Sequence, residues 1–138
     1  MLSRMGISAS IKGYHFIRKA VMMAVENQDV LVGITKGLYP DIAKQYKTTA
    51  SKVERAIRHA IESVWKKNGP QIYFEIAGYL PTEKPTNGQF IAALSEYFRI
   101  RKKENRKNQL KINRKEKERS LLYRQFVLFR SKIHKFSL

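Results

Sequence analysis

The chain has 138 residues, 43% of them hydrophobic, enough for one compact domain with a core of its own. Its 28 Lys and Arg against 11 Asp and Glu give a formal net charge of +17, which makes phosphate polymers or anionic surfaces the natural partners whatever the fold. The absence of cysteine excludes a disulfide framework, a thiolate metal site and a thiol nucleophile; with no signal peptide and no run of about 18 apolar residues, the expected compartment is a reducing cytoplasm.

In chain order, Tyr14, Ile17, Val21 and Val25, with Phe16, Ala20 and Ala24 beside them, recur at helical spacing and predict a helix from about Lys12 to Glu26, with Met22 and Met23 as core filler. Leu31, Ile34 and Leu38 suggest a short second helix that stops at the Tyr39-Pro40 step, since proline disfavours helical geometry in the residue before it. Pro40 then opens a short helix over residues 40–47: its missing donor costs nothing in a first turn, Asp41 suits the positive end of the dipole, and Ile42, Ala43 and Tyr46 face inward. Thr48 or Thr49 is a good N-cap for the clearest helix of the chain, residues 50–67. There Val53, Ile57, Ala60, Ile61 and Val64 fall within a sector about 100° wide, the stripe of a helix packed on a core, with Ser51, Lys52, Arg55, Arg58, His59 and Glu62 opposite. After the Asn68-Gly69-Pro70 stop, residues 72–77 read as one or two helical turns ended by Gly78, and Thr82 to Asn87 as a loop carrying Pro81 and Pro85. A last core helix begins at Thr86 or Asn87 as cap and buries Phe90, Ile91, Leu94, Tyr97 and Phe98, before it frays or continues. The predicted fold class is all-α, about six helices.

Charge divides the chain near Arg101. Residues 1–100 hold 14 Lys and Arg against 8 Asp and Glu, while residues 101–138 hold 14 against 3, so most of the surplus lies in the second part. We therefore divide the chain into a domain over residues 1–103 and a basic tail over 104–138, helical or disordered. The run Leu121-Leu122-Tyr123, Phe126-Val127-Leu128-Phe129 and Ile133, interleaved with Arg124, Arg130, Lys132 and Lys135, suits a basic amphipathic helix. Three readings of the tail compete: added phosphate contact, a partner or membrane-surface helix, or an extension without a role.

A short helix with Asp41, Ile42 and small Ala43, a tight polar turn, and a longer helix with an apolar stripe and a basic outer face form the pattern of a helix-turn-helix. In that arrangement the second helix enters the major groove, and the candidate DNA-binding residues are Ser51, Lys52, Glu54, Arg55, Arg58 and His59. Lys52 can donate to guanine O6 and N7, Glu54 can accept from cytosine N4, Arg55 can serve base or phosphate, and Arg58 and His59 suit the backbone. A carboxylate facing DNA repels phosphate, so Glu54 makes sense there chiefly as a base reader. The alternative is an i,i+4 pair between Glu54 and Arg58 on a solvated face.

The stretch Ile11-Lys12-Gly13-Tyr14, then ITKGLYPDIAKQYKTTASKVERAIRHAIESVW from Ile34 to Trp65, then Gly78-Tyr79 and KPTNGQFIAAL from Lys84 to Leu94, resembles the effector domain of the stage-zero master regulator of sporulation, a response regulator of endospore-forming bacteria. The resemblance covers residues 7–101. It implies a six-helix domain that binds a TGTCGAA-like box, often as tandem copies that would favour a DNA-assisted homodimer, and that activates or represses promoters partly through the RNA polymerase sigma factor. The same residues, Lys52, Glu54, Arg55, Arg58 and His59, would be the readers. Residue 52 is commonly arginine in that family, so Lys52 implies weaker bidentate guanine reading with the charge kept. The segment 69–78 matches where the family meets sigma factor, although QIYFEIA departs from the usual sequence there. The receiver domain of full-length relatives is not expected in this chain, which reads either as a free-standing paralogue or as the effector half of a longer regulator.

The rival reading is a basic RNA-binding or ribosome-associated protein, for which the tail's composition is typical; it leaves the helix 49–65 without a role. A membrane-surface protein is a weaker third. An enzyme finds no support, because His15, His59 and His134 are scattered and Gly33 and Gly37 form no phosphate loop, and no cofactor is expected. The aromatic residues Tyr14, Phe16, Phe90, Tyr97 and Phe98 at helical spacing read as core rather than base-stacking platforms.

Overall fold

Five α-helices, joined by a 3-10 turn and a π turn, make up the computed structural model, which describes residues 1–136: α1 Lys12–Glu26, α2 Tyr39–Gln45, α3 Ala50–Trp65, α4 Gly69–Ala77 and α5 Asn87–Phe136. The fold is all-α. The chain separates into two units, Met1–Arg99 and the residues from Ile100 on.

The first unit holds the core. α1 buries Phe16, Ile17, Ala20, Val21 and Ala24, the stripe expected of it. Met22 is a correction, since it stands half-exposed on the outer side of α1, while Met23 is only partly buried. α3 buries Val53, Ile57, Ala60, Ile61 and Val64 and no other residue, each Val or Ile contributing roughly 1.5–3 kcal/mol by leaving water. Met5 and Ile7, in the turns before α1, are also fully buried. Their part in the core has no periodic signature, because they lie outside any helix.

The α1 and α3 axes approach closely at Gly13. A Cβ there would lie 2.4 Å from the Ala56 carbonyl oxygen and 2.7 Å from the Ala60 Cβ, so the absence of a side chain is what permits this contact.

One expected helix is missing. Residues 31–38 do not form an α-helix that stops before Pro40; a 3-10 turn over Gln28–Leu31 leads to a π turn over Ile34–Leu38, which runs straight into α2. Leu38 and Tyr39 both keep right-handed helical geometry, and Pro40 falls in the first turn of α2, where no donor is required. The preference of a pre-proline residue for extended geometry is overridden here by burial of Tyr39, which is 5% exposed. α4 begins at Gly69, three residues before the expected start, because Pro70 opens the helix as readily as it stops the previous one. Gly78 ends α4 in left-handed geometry at φ 80°.

The start of α5 is a capping box: Thr86 Oγ1 accepts from the Gln89 amide at 3.2 Å and Gln89 Oε1 accepts from the Thr86 amide at 3.0 Å. Phe90, Ile91 and Leu94 then enter the core, Tyr97 is half-buried and Phe98 is exposed. Arg99 donates to the Ala24 carbonyl at 2.9 Å, tying this part of α5 to α1.

In the second unit the helix continues to Phe136, and every side chain from Ile100 to Lys135 is exposed. No glycine or proline follows Gly88, and Lys, Arg, Glu, Gln and Leu dominate, so nothing in this stretch interrupts helix propagation. Among the described residues no helix is long and apolar enough to cross a membrane.

Candidate nucleic-acid interface

The end of α2 folds back through a four-residue turn into α3. The Thr48 amide donates to the Ala43 carbonyl at 2.9 Å and the Lys47 amide to the Lys44 carbonyl at 3.5 Å, the bond pair of a Schellman ending, with Lys47 in the left-handed conformation at φ 53°. Thr49 then caps α3, its Oγ1 accepting from the Lys52 amide at 3.3 Å. Ile42 and Ala43 are buried at the α2–α3 contact. The two helices and the turn thus have the geometry of a helix-turn-helix, with α3 second.

Ser51, Lys52, Arg55, Arg58 and His59 are all exposed on the outer side of α3. At about 100° per residue they share one face opposite the buried stripe. Glu54 lies at its border, half-buried, where α3 meets α2 and the start of α5. Its Oε1 accepts from Arg58 Nε at 3.0 Å, so the i,i+4 pair does form. A pair this exposed adds little stability, roughly 0.3–0.5 kcal/mol, but it orients the carboxylate. Lys52, Arg55 and His59 form no salt bridge among the described residues, and their side chains are exposed.

Three residues beside this face, Tyr39, Lys84 and Asn87, make tertiary contacts that carried no signal in the sequence. Asn87 Nδ2 donates both to the Tyr39 hydroxyl at 3.1 Å and to the Glu54 main-chain oxygen at 3.2 Å. Burial raises the Tyr39 phenol above its ordinary range, opposed by the Asn87 bond and aided by the nearby Glu54 carboxylate, so Tyr39 stays neutral. Lys84 reaches back to Glu62 of α3 at 3.1 Å and lowers that carboxyl group. Such contacts join residues far apart in the chain and leave no periodic trace; Asn87 was legible only as a helix cap.

Outside α3, α4 buries Ile72 and Tyr73 and exposes Phe74, while Tyr79 and Leu80 stand exposed just beyond it.

A helix-turn-helix with a basic second helix narrows the fold, and the sequence match decides the family. The family model described as sporulation initiation factor Spo0A C terminal matches residues 1–98. The chain belongs to this family. It contains a DNA-binding regulatory domain of the sporulation-initiation type, of the kind that serves as a response-regulator effector. The Spo0A C-terminal match begins at residue 1, so it includes the buried Met5 and Ile7, and it ends within α5 one residue short of the end of the first unit.

Proposed function

We propose that this domain regulates transcription by laying α3 in the major groove of a TGTCGAA-like box. Support comes from one observation: α3 is capped and held by its turn while Ser51, Lys52, Arg55, Arg58 and His59 all face solvent on one side. In this reading Lys52 and Arg55 donate to base edges, Arg58, His59 and Ser51 hold phosphates, and Glu54 accepts from a cytosine N4. Arg58 occupies only Oε1 of Glu54, leaving Oε2 to take the base, so the ion pair and the reading of cytosine are compatible. Tandem boxes would seat two copies of the domain side by side.

The domain in this reading is residues 1–103, and the tail 104–138 adds sequence-independent phosphate contact. Contact with an RNA polymerase sigma factor is a second role, favoured by Phe74 of α4 and by Tyr79 and Leu80 just beyond it, large apolar side chains left exposed within a short stretch of chain.

A footprint on duplexes bearing the box tests the function, with a scrambled duplex and a structured RNA as competitors at physiological salt. Preferential protection of the box is expected, and Glu54→Ala should relax the preference at one cytosine by about tenfold, the cost of removing one base-edge hydrogen bond. Equal affinity for all three nucleic acids would overturn the reading.

A further inference from the structure

We infer that Asn87 is a positioning residue for DNA recognition: its carboxamide sets the axial position and rotation of the N-terminal half of α3. This rests on the reading of α3 as the recognition helix.

Three elements meet at one nitrogen. Tyr39 is the first residue of α2, Glu54 lies in the second turn of α3, and Asn87 opens α5; the two N–H groups of Asn87 serve the other two residues, at 3.1 and 3.2 Å. A backbone carbonyl has two lone pairs, so the Glu54 oxygen accepts this bond in addition to its own helical bond. Both ends of the latch are held. Tyr39 is 5% exposed, and the Asn87 backbone lies inside the capping box of Thr86 and Gln89, one turn before the fully buried Phe90 and Ile91.

The apolar stripe of α3 cannot do this alone. Hydrophobic contact is non-directional and tolerates small slides and rotations of a helix on its core. A partly buried hydrogen bond to the helix backbone is directional and is strengthened by its shielding from water. It acts at Glu54, whose side chain is fixed in turn by Arg58. Readout of a base edge requires the reading group to be placed within about 0.5 Å, so loss of the latch affects discrimination before it affects attraction to phosphates.

The test uses the full chain with Asn87→Ala and Tyr39→Phe, each measured on a box-bearing duplex and on a scrambled duplex at one salt concentration, together with amide hydrogen exchange. Asn87→Ala removes both bonds and is expected to lower the box-to-scrambled affinity ratio about tenfold, while Tyr39→Phe removes one and lowers it about threefold. Affinity for the scrambled duplex and its salt dependence stay unchanged, and amides of residues 53–58 exchange faster. In the Glu54→Ala background, Asn87→Ala has no further effect at the cytosine that Glu54 reads. An unchanged ratio, or an equal fall on both duplexes, overturns the inference. A wild-type chain that does not distinguish the duplexes refutes the recognition reading instead; unchanged exchange at residues 53–58 in Asn87→Ala then overturns the latch independently.

Discussion

Gly13→Ala tests the packing that carries α3, the proposed recognition helix. The new Cβ would stand 2.4 Å from the Ala56 oxygen and 2.7 Å from the Ala60 Cβ, against ordinary contacts of 3.4 Å or more, so α1 and α3 must part by about 1 Å. Overpacking a core costs about 1–3 kcal/mol, and a carbonyl within a regular helix yields less than the tip of a side chain, which places this site in the upper half of that range. Alanine returns up to about 1 kcal/mol through the lower backbone entropy of the unfolded chain. The net loss is about 1–2 kcal/mol, which for a domain of this size lowers Tm by about 5–15 °C. Thermal unfolding followed by circular dichroism measures it. The expected companion is weaker binding to box-bearing DNA, because α3 is the element displaced. A Gly13→Ala protein that melts at or above the wild-type temperature would refute the close-approach argument.

Lys47→Gly should stabilise the domain by about 1 kcal/mol, since φ 53° is a left-handed conformation that glycine adopts without penalty, and a raised denaturant midpoint would show it. A Lys47→Val protein should move the other way, because a branched Cβ suits that conformation worst. The Tyr73 phenol is pushed up to about 12, by burial first and by its neighbour Tyr79 second. In the unfolded chain it ionises near 10.0, so between those values the folded state binds more protons and stability falls as pH rises. Urea midpoints taken across that range should fall less steeply in Tyr73→Phe, and identical slopes would remove Tyr73 as the cause. A chain ending at Lys103 should keep its stability within about 0.5 kcal/mol, because every side chain from residue 104 to 135 is exposed. Its affinity for DNA should also depend less on salt, by about 0.9 in the log–log slope for each phosphate that the tail neutralises. An unchanged slope would show that the tail touches no phosphate.

Local patterns were informative where a local physical rule governs the outcome. The Lys12–Glu26 helix, the buried stripe of α3 and the Gly78 ending follow from periodicity and from the backbone freedom of glycine. The same rules misjudged residues 31–40, where pre-proline geometry predicts a break and the burial of Tyr39 carries the chain through it. They also gave the wrong environment for Met22, whose helix has more apolar residues than its buried face accommodates. The uninterrupted helix of the basic tail was within reach, since no residue after Gly88 opposes it.

The candidate site divides along the same line. Residue order along α3 determines by itself which side chains share the outer face, because 3.6 residues per turn leave no choice once the apolar stripe is buried. It could not decide how Glu54 is held. The Glu54–Arg58 pair was one of two local alternatives, and the bond from Asn87 joins residues 33 positions apart. Such a contact depends on where α5 begins relative to α2 and α3, which only the packed core of Phe90, Ile91, Ile42 and Ile57 establishes. Sequence alone therefore determined which side chains form the exposed basic face that we propose for DNA, and tertiary structure decided how α3 is tied to its neighbours, because helical periodicity is local and a hydrogen bond between helices is not.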